Sequence, residues 1–209
     1  MAVDATGTRA KLLAAGERHF AVHGIHGAQM RDIVRDAGQA NDSAVHYHFG
    51  SRVGLLTAIC QRHIDEMDPE RERLLAAQPH DADLEIAVRD LVHPTAAQLS
   101  SKSGRYFLRI TAQLSGHAGV RAGSTPPDVV SRPLRAQLAQ VHRLCADFLS
   151  DELAGERVAV LIGAVTAALA ERAVAIDEDA DFALDEQTFV ANLEAMLVAA
   201  LRAPVPAYR

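Results

Sequence analysis

Tryptophan is absent, and aromatic residues make up only 4% of the 209-residue chain. No run of alternating β-branched residues occurs, which excludes sandwich and barrel architectures. Cysteine is scarce: Cys60 and Cys145 stand alone, in no paired motif. A disulfide-stapled scaffold and a CxxC metal or redox centre are thereby excluded. Patterns such as HExxH, GxSxG and a phosphate loop are missing, and no convergent acid, base and nucleophile stands out. Neither an enzyme nor a bound cofactor is expected. The opening MAVDATGTRA lacks the apolar run of a signal peptide. The longest aliphatic stretch, Val158 to Ala170, is expected to be too short to span a bilayer. The expectation is a cytoplasmic protein with no membrane partner.

Apolar residues, by contrast, make up 49% of the chain, enough for a substantial core. Alanine, leucine, arginine and glutamate dominate, so the expected fold class is all-α. The net charge of −6 speaks against a polyanionic partner until its distribution is read. Residues 1–63 hold seven Lys/Arg and five Asp/Glu, for +2, and six of the ten histidines; the remainder carries −8. The N-terminal third suits a polyanion better than the rest does.

Apolar spacing and capping residues outline about nine helices. The first runs from about Thr8, a candidate N-cap, to His23, with Gly24 as its stop. The second covers about Gln29 to Ala37, where Met30, Ile33, Val34 and Ala37 form one stripe ending at Gly38. The third covers about Asp42 to His48. A long fourth helix starts at Arg52 behind the Ser51 cap, and Pro69 is expected to kink or interrupt it. Further helices are expected at about 83–94, 104–114, 129–150, 154–175 and 185–202, with Gly116 to Asp128 as the clearest loop. His19 and His23, four apart, could in principle hold a metal. With no evident acidic or cysteine partner, the expected metal content is none.

Residues 29–48 thus describe two short helices joined at a glycine, the helix-turn-helix pattern. Val45 and Phe49 form the expected buried pair of the second short helix. Asn41, Asp42, Ser43, His46, Tyr47 and His48 are left to face outward.

The segment RDIVRDAGQANDSAVHYHFGSRVGLL resembles the TetR family of repressors through its AG turn, its YHF ending and its GSR cap. The resemblance covers about Thr8 to Arg62, and beyond it only helix count and order agree. It implies three DNA-binding helices, a linking fourth, and a larger ligand-binding and dimerising bundle. The expected division is 1–50 for DNA binding, 51–78 for the linking helix, 79–203 for the bundle and 204–209 as a tail. The resemblance further implies that Ser43, Ala44, His46 and Tyr47 lie against bases and phosphates, with His48 near the backbone. Arg52 would contact phosphate, and so would the helix start at Gln29 with Met30. The chain departs from the pattern by one extra residue near Gln39-Ala40. It also carries Val53-Gly54 in place of an acidic residue and an alanine. By propensity alone Gly54 should weaken its helix by roughly 1 kcal/mol.

Small residues around Val160, Gly163, Ala164 and Ala167, and the stripe Phe189, Leu193, Met196, Leu197 and Ala200, suit a homodimer through the last two long helices. The family places its ligand among helices five to eight. Candidates from this sequence are Phe107, Ile110, Leu114, His117, His142 and Phe148, with Leu144, Arg109 and Gln113 beside them. The expected function is a ligand-responsive transcriptional regulator, a repressor released from palindromic double-stranded operator DNA by a small-molecule inducer. A DNA-binding activator or ligand-independent regulator is the alternative, and a small helical enzyme or metal protein a third.

Overall fold

A computed structural model describes residues 5–41, 43–116 and 130–205. Among them the chain is all helix: α1 (Ala5–His23), α2 (Met30–Asp36), α3 (Ser43–Phe49), α4 (Arg52–Ala77), α5 (Leu84–Ala96), α6 (Lys102–Gly116), α7 (Arg132–Ala146), α8 (Asp151–Asp177) and α9 (Glu186–Leu201). A single 3-10 turn, Ala97–Ser100, joins α5 to α6.

The helix starts are set by side-chain caps. Ser51, Asp83, Ser131, Ser150 and Asp185 each accept a hydrogen bond from a backbone N–H of the first turn. Thr8 is not such a cap: α1 begins at Ala5, and Thr8 lies buried within it. Gly38, at φ +70°, ends α2 in the left-handed region, which an L side chain adopts only with strain. Pro69 does not interrupt α4, which continues beyond it to Ala77. Proline forfeits one backbone hydrogen bond. Here Met67 and Arg71 on either side are buried against neighbouring helices, and that burial keeps the helix continuous.

Two groups of buried side chains fill the interior. One combines Leu12, Phe20, Ile33, Val45, Leu55 and Ile59 with Phe107 and Ile110 of α6. The other gathers α5, α7, α8 and α9 around Val88, Leu161, Leu169 and Leu197. Helix α6 therefore belongs to both: Leu108 points into the second group while its neighbours point into the first. The helix-turn-helix unit is consequently packed directly on the bundle.

Gly54 has a reason that propensity does not reveal. A Cβ at this position would collide with the carbonyl oxygen of Phe49, the last residue of α3, and lie 3.1 Å from its carbonyl carbon. The glycine lets α3 end tightly against the first turn of α4. Propensity predicts that Gly54→Ala stabilises by roughly 1 kcal/mol. The collision predicts a loss of roughly 1–3 kcal/mol, because the obstacle is backbone. Urea unfolding of the two proteins should show the lower midpoint for the alanine variant.

Candidate nucleic-acid interface and ligand cavity

Helix α3 is short, and one residue anchors it: Val45 is buried, and Phe49 is half-buried beneath the guanidinium of Arg9, 5.2 Å from its ring centre. On the other side Ser43, His46 and Tyr47 are exposed, Tyr47 to 81%. A phenol so exposed gains nothing from the core. Its ring meets His48 edge-on at 4.9 Å. His46 is held more firmly than its place in the sequence suggests. Its Nδ1 donates to the Gly50 carbonyl at 3.0 Å, which leaves Nε2 turned to solvent. Ala44 and His48 are half-buried.

Other candidates from the sequence serve inside the chain. The Asn41 carboxamide oxygen accepts from the Ser43 backbone N–H at 3.1 Å, opening α3. Gln29 is exposed at the N-cap position of α2, and its amide donates to Gly27. Arg52 donates from Nη1 to the Ala28 carbonyl at 2.7 Å and from Nη2 to the Ile25 carbonyl, its guanidinium over the Phe20 ring. It fastens the connection between α1 and α2 rather than standing free at the surface. Asp42 lies outside the described residues.

Sequence reasoning missed two contacts that set the orientation of α1. His19 lies 2.8 Å from Asp36 on α2, and Arg18 also reaches that carboxylate. The hydrogen bond to His19, with help from nearby Arg18, holds the Asp36 carboxyl below its ordinary range. His19 thus pairs with an acid on another helix. No group of three or more metal-ligating side chains assembles among the described residues. Gln113 of α6 forms the second contact, accepting from the Ile25 N–H at 2.8 Å and donating to the Phe20 carbonyl at 3.2 Å. Periodicity alone marks it only as a polar option for ligand.

A buried polar junction lies between α1, α4 and α6. Glu17, 3% exposed, receives Nη2 of Arg62 and Nε2 of His63 at 2.6 Å each on Oε1, and the Ser103 hydroxyl at 2.7 Å on Oε2. His63 stacks on Phe107 with ring centres 4.5 Å apart.

Phe107 also lines a cavity of about 180 Å³. Its walls come from α4 through α8: Ile64 and Met67, Leu91, Leu114, Leu134, and Ile162 with Val165. Of the expected ligand-site residues, Phe107 and Leu114 face this space. Ile110 does not; it is fully buried in the N-terminal core. His142 lies against Asp151 at the α7–α8 corner. Phe148 is 49% exposed in the same corner, and Leu144 borders a separate surface cleft. These three lie at the far end of α7, away from the cavity. Arg109 faces Asp177. His117 lies outside the described residues. Both thiols are buried, and burial pushes Cys60 up to about 12 and raises Cys145 as well, which leaves both unreactive at neutral pH.

Helix α8 corrects one sequence expectation. Its 27 residues are long and apolar enough to cross a membrane by length and composition. It packs here against α6, α7 and α9. Its outer side nonetheless leaves Val160 64% exposed, and Met196 of α9 is 61% exposed.

Because Glu17 joins the two halves, its loss should be costly. Removing one partner from a buried ionic cluster leaves the others uncompensated, at about 3–5 kcal/mol. Calorimetric unfolding should place the melting temperature of Glu17→Ala roughly 10 °C below that of the parent chain.

Residues 12–59 match the family model described as bacterial regulatory proteins, tetR family. No curated protein matches the chain. Among solved structures it is similar to a TetR-like transcriptional regulator from Rhodococcus sp. RHA1 (16% identity, TM-score 0.60, 94% of this chain and 97% of that one). It is similar also to the fatty acid degradation regulator FadR from Bacillus halodurans (18% identity, TM-score 0.58, 93% and 96%). A third similar structure is a TetR variant from Acinetobacter baumannii AYE in complex with minocycline (17% identity, TM-score 0.52, 91% and 92%). Residues 12–59 thus match the N-terminal unit of the tetR family, and the whole chain shares the fold of these solved structures.

Proposed function

We propose that this protein is a homodimeric, ligand-responsive transcriptional repressor of the cytoplasm that grips a palindromic operator through α3 and releases it when a small molecule fills the α4–α8 cavity. The observation that carries the DNA reading is the outer face of α3. Ser43, His46 and Tyr47 are presented to solvent by a helix whose inner face is pinned by Val45. A seven-residue helix reads only a few base pairs. A pair of them about 34–36 Å apart would read two half-sites one turn apart.

In this reading Tyr47, Ser43 and Ala44 contact bases and phosphates, and His46 offers Nε2 to a base edge. His48 and Gln29 approach the backbone, and Asn41 contributes by starting α3. Arg52 supports the interface from behind, by holding the α1–α2 connection on which α3 packs. Asp42 remains an expected DNA contact within the same proposal. Residues 1–50 form the DNA-binding unit, 51–78 the link and 79–203 the bundle.

A dimer through α8 and α9 is supported by the apolar side chains left exposed there, Val160 and Met196 among the small residues Ala164, Ala167 and Ala200. A second copy, related by a two-fold axis, would cover both patches at once.

The route from cavity to DNA is supported by shared side chains. Ile64 and Met67 of α4 line the cavity and belong to the N-terminal core, while Phe107 lines it and stacks on His63. A ligand that prefers one position of α4 would change the separation of the two α3 helices, and affinity would follow by its differential binding to the two states.

Selection of duplexes from a random library by the full chain tests the proposal. A palindromic site should emerge, and its affinity should fall steeply with salt. Failure to enrich any duplex at low salt overturns the reading. Tyr47→Ala should weaken the selected site by about 1–3 kcal/mol while weakening random duplexes less. Val160→Glu should shift the chain to monomer in sedimentation and lose the palindrome together with the dimer.

A further inference from the structure

Arg71 lies on α4 with 3% of its surface exposed, and it lines the cavity. Its Nη1 donates to Gln137 Oε1 at 2.7 Å and its Nη2 to Thr95 Oγ1 at 3.0 Å, with the Met67 sulfur a weaker acceptor 3.9 Å from Nη2. Gln137 is fixed in that orientation, because its own amide donates to the Asp90 carbonyl at 2.8 Å. All three partners are neutral. Among the described residues no carboxylate comes within 4.0 Å of the Arg71 guanidinium, whereas the buried carboxylates Glu17 and Asp90 each have an arginine beside them. A buried cation without an anion is costly. Burial draws Arg71 down to about 10, which leaves it charged at neutral pH.

The remaining polar groups of the cavity do not offer the same chemistry. Asp68, one turn earlier on α4 and half-buried, accepts from the Ser131 hydroxyl at 2.7 Å. Its charge favours the cationic form of Arg71 without pairing with it. Ser115 and Thr166 bond each other at 2.7 Å, and Thr111 donates to the Leu108 carbonyl. Arginine carries five N–H donors. Gln137, Thr95 and the Met67 sulfur engage only part of that set, so the fork retains donors for an acidic acceptor.

We propose that the cavity takes a compact amphiphilic monocarboxylate, its carboxylate on Arg71 and its apolar body among the aliphatic walls. The inference deepens the ligand-responsive reading and rests on it for its regulatory meaning. A dry cavity of about 150 Å³ accommodates benzene. The 180 Å³ here therefore suits an aromatic acid or a chain of roughly six to eight carbons.

The test is calorimetric titration of the full, DNA-free chain with octanoate and with 1-octanol, its neutral counterpart. Octanoate should bind at least tenfold more tightly, and Arg71→Gln should remove that advantage while leaving 1-octanol unchanged. Val165→Phe, which fills the cavity and keeps the arginine, should abolish binding of both. The proposal is overturned if 1-octanol binds as well as octanoate, if octanoate does not bind at millimolar concentration, or if its affinity survives Val165→Phe. Should Arg71→Gln fail to fold, the comparison of acid with alcohol and the Val165→Phe variant still decide. Release of the selected duplex is measured separately. Octanoate that binds without releasing DNA sustains the carboxylate site and overturns the ligand-controlled reading instead.

Discussion

A buried carboxylate fixes how the helix-turn-helix unit meets the bundle, beside the apolar packing of α6. Glu17 comes from α1, its nitrogen partners Arg62 and His63 from α4, and its hydroxyl partner Ser103 from α6. Desolvating these groups offsets much of their mutual attraction, so the cluster adds less to net stability than its short distances suggest. Its larger effect is on geometry. Apolar side chains can slide past one another at small cost, whereas a carboxylate on one helix satisfied from two others restricts their relative positions. The direction in which α3 points depends on α1 and α4, and Glu17 is one of the contacts that hold these two together.

That dependence explains what could be read from sequence and what could not. Features encoded within one or two helical turns were legible. Gly38 ends α2, Ser51 caps α4, Val45 is the inward residue of α3, and the stripe of Ile33 and Val34 faces the core. Features made by chain segments far apart were not. Arg52 reads as a surface cation until Ile25 and Ala28 fold beneath it. His19 has no evident acidic partner in the sequence until Asp36 arrives from the next helix. Gly54 reads as a defect until the Phe49 carbonyl occupies the space of its missing side chain. Local propensity is a prior that tertiary contact overrides, and Pro69 inside a continuous α4 shows the same thing for the backbone.

The ligand-site candidates diverge for a reason rooted in α6. Phe107, Ile110 and Leu114 are spaced as one helical face, yet Ile110 turns into the N-terminal core while the other two border the cavity. Helix α6 is wedged between two cores, so its inward surface is wider than a single stripe. His142 and Phe148 lie beyond the point where α7 leaves the cavity, a distance along the helix that periodicity cannot report. The buried cation that does reach the space, Arg71, is hidden from sequence reasoning, because an arginine four residues after Met67 on a polar-looking helix reads as solvated surface.

Helix α4 connects every one of these places. Its first turn abuts α3, its middle supplies two of the groups around Glu17, and its third quarter walls the cavity with Ile64, Met67 and Arg71. In the proposed function a displacement at the cavity end would be carried along α4 to α3. The Glu17 cluster sits between the two ends and would act as the pivot. A guanidinium without a counter-anion on the cavity side of that pivot gives the empty state a reason to differ from the filled one. In the reading proposed above, an anion on Arg71 would add to its bonds with Gln137 and Thr95 and would favour the position of α4 that brings the guanidinium onto it.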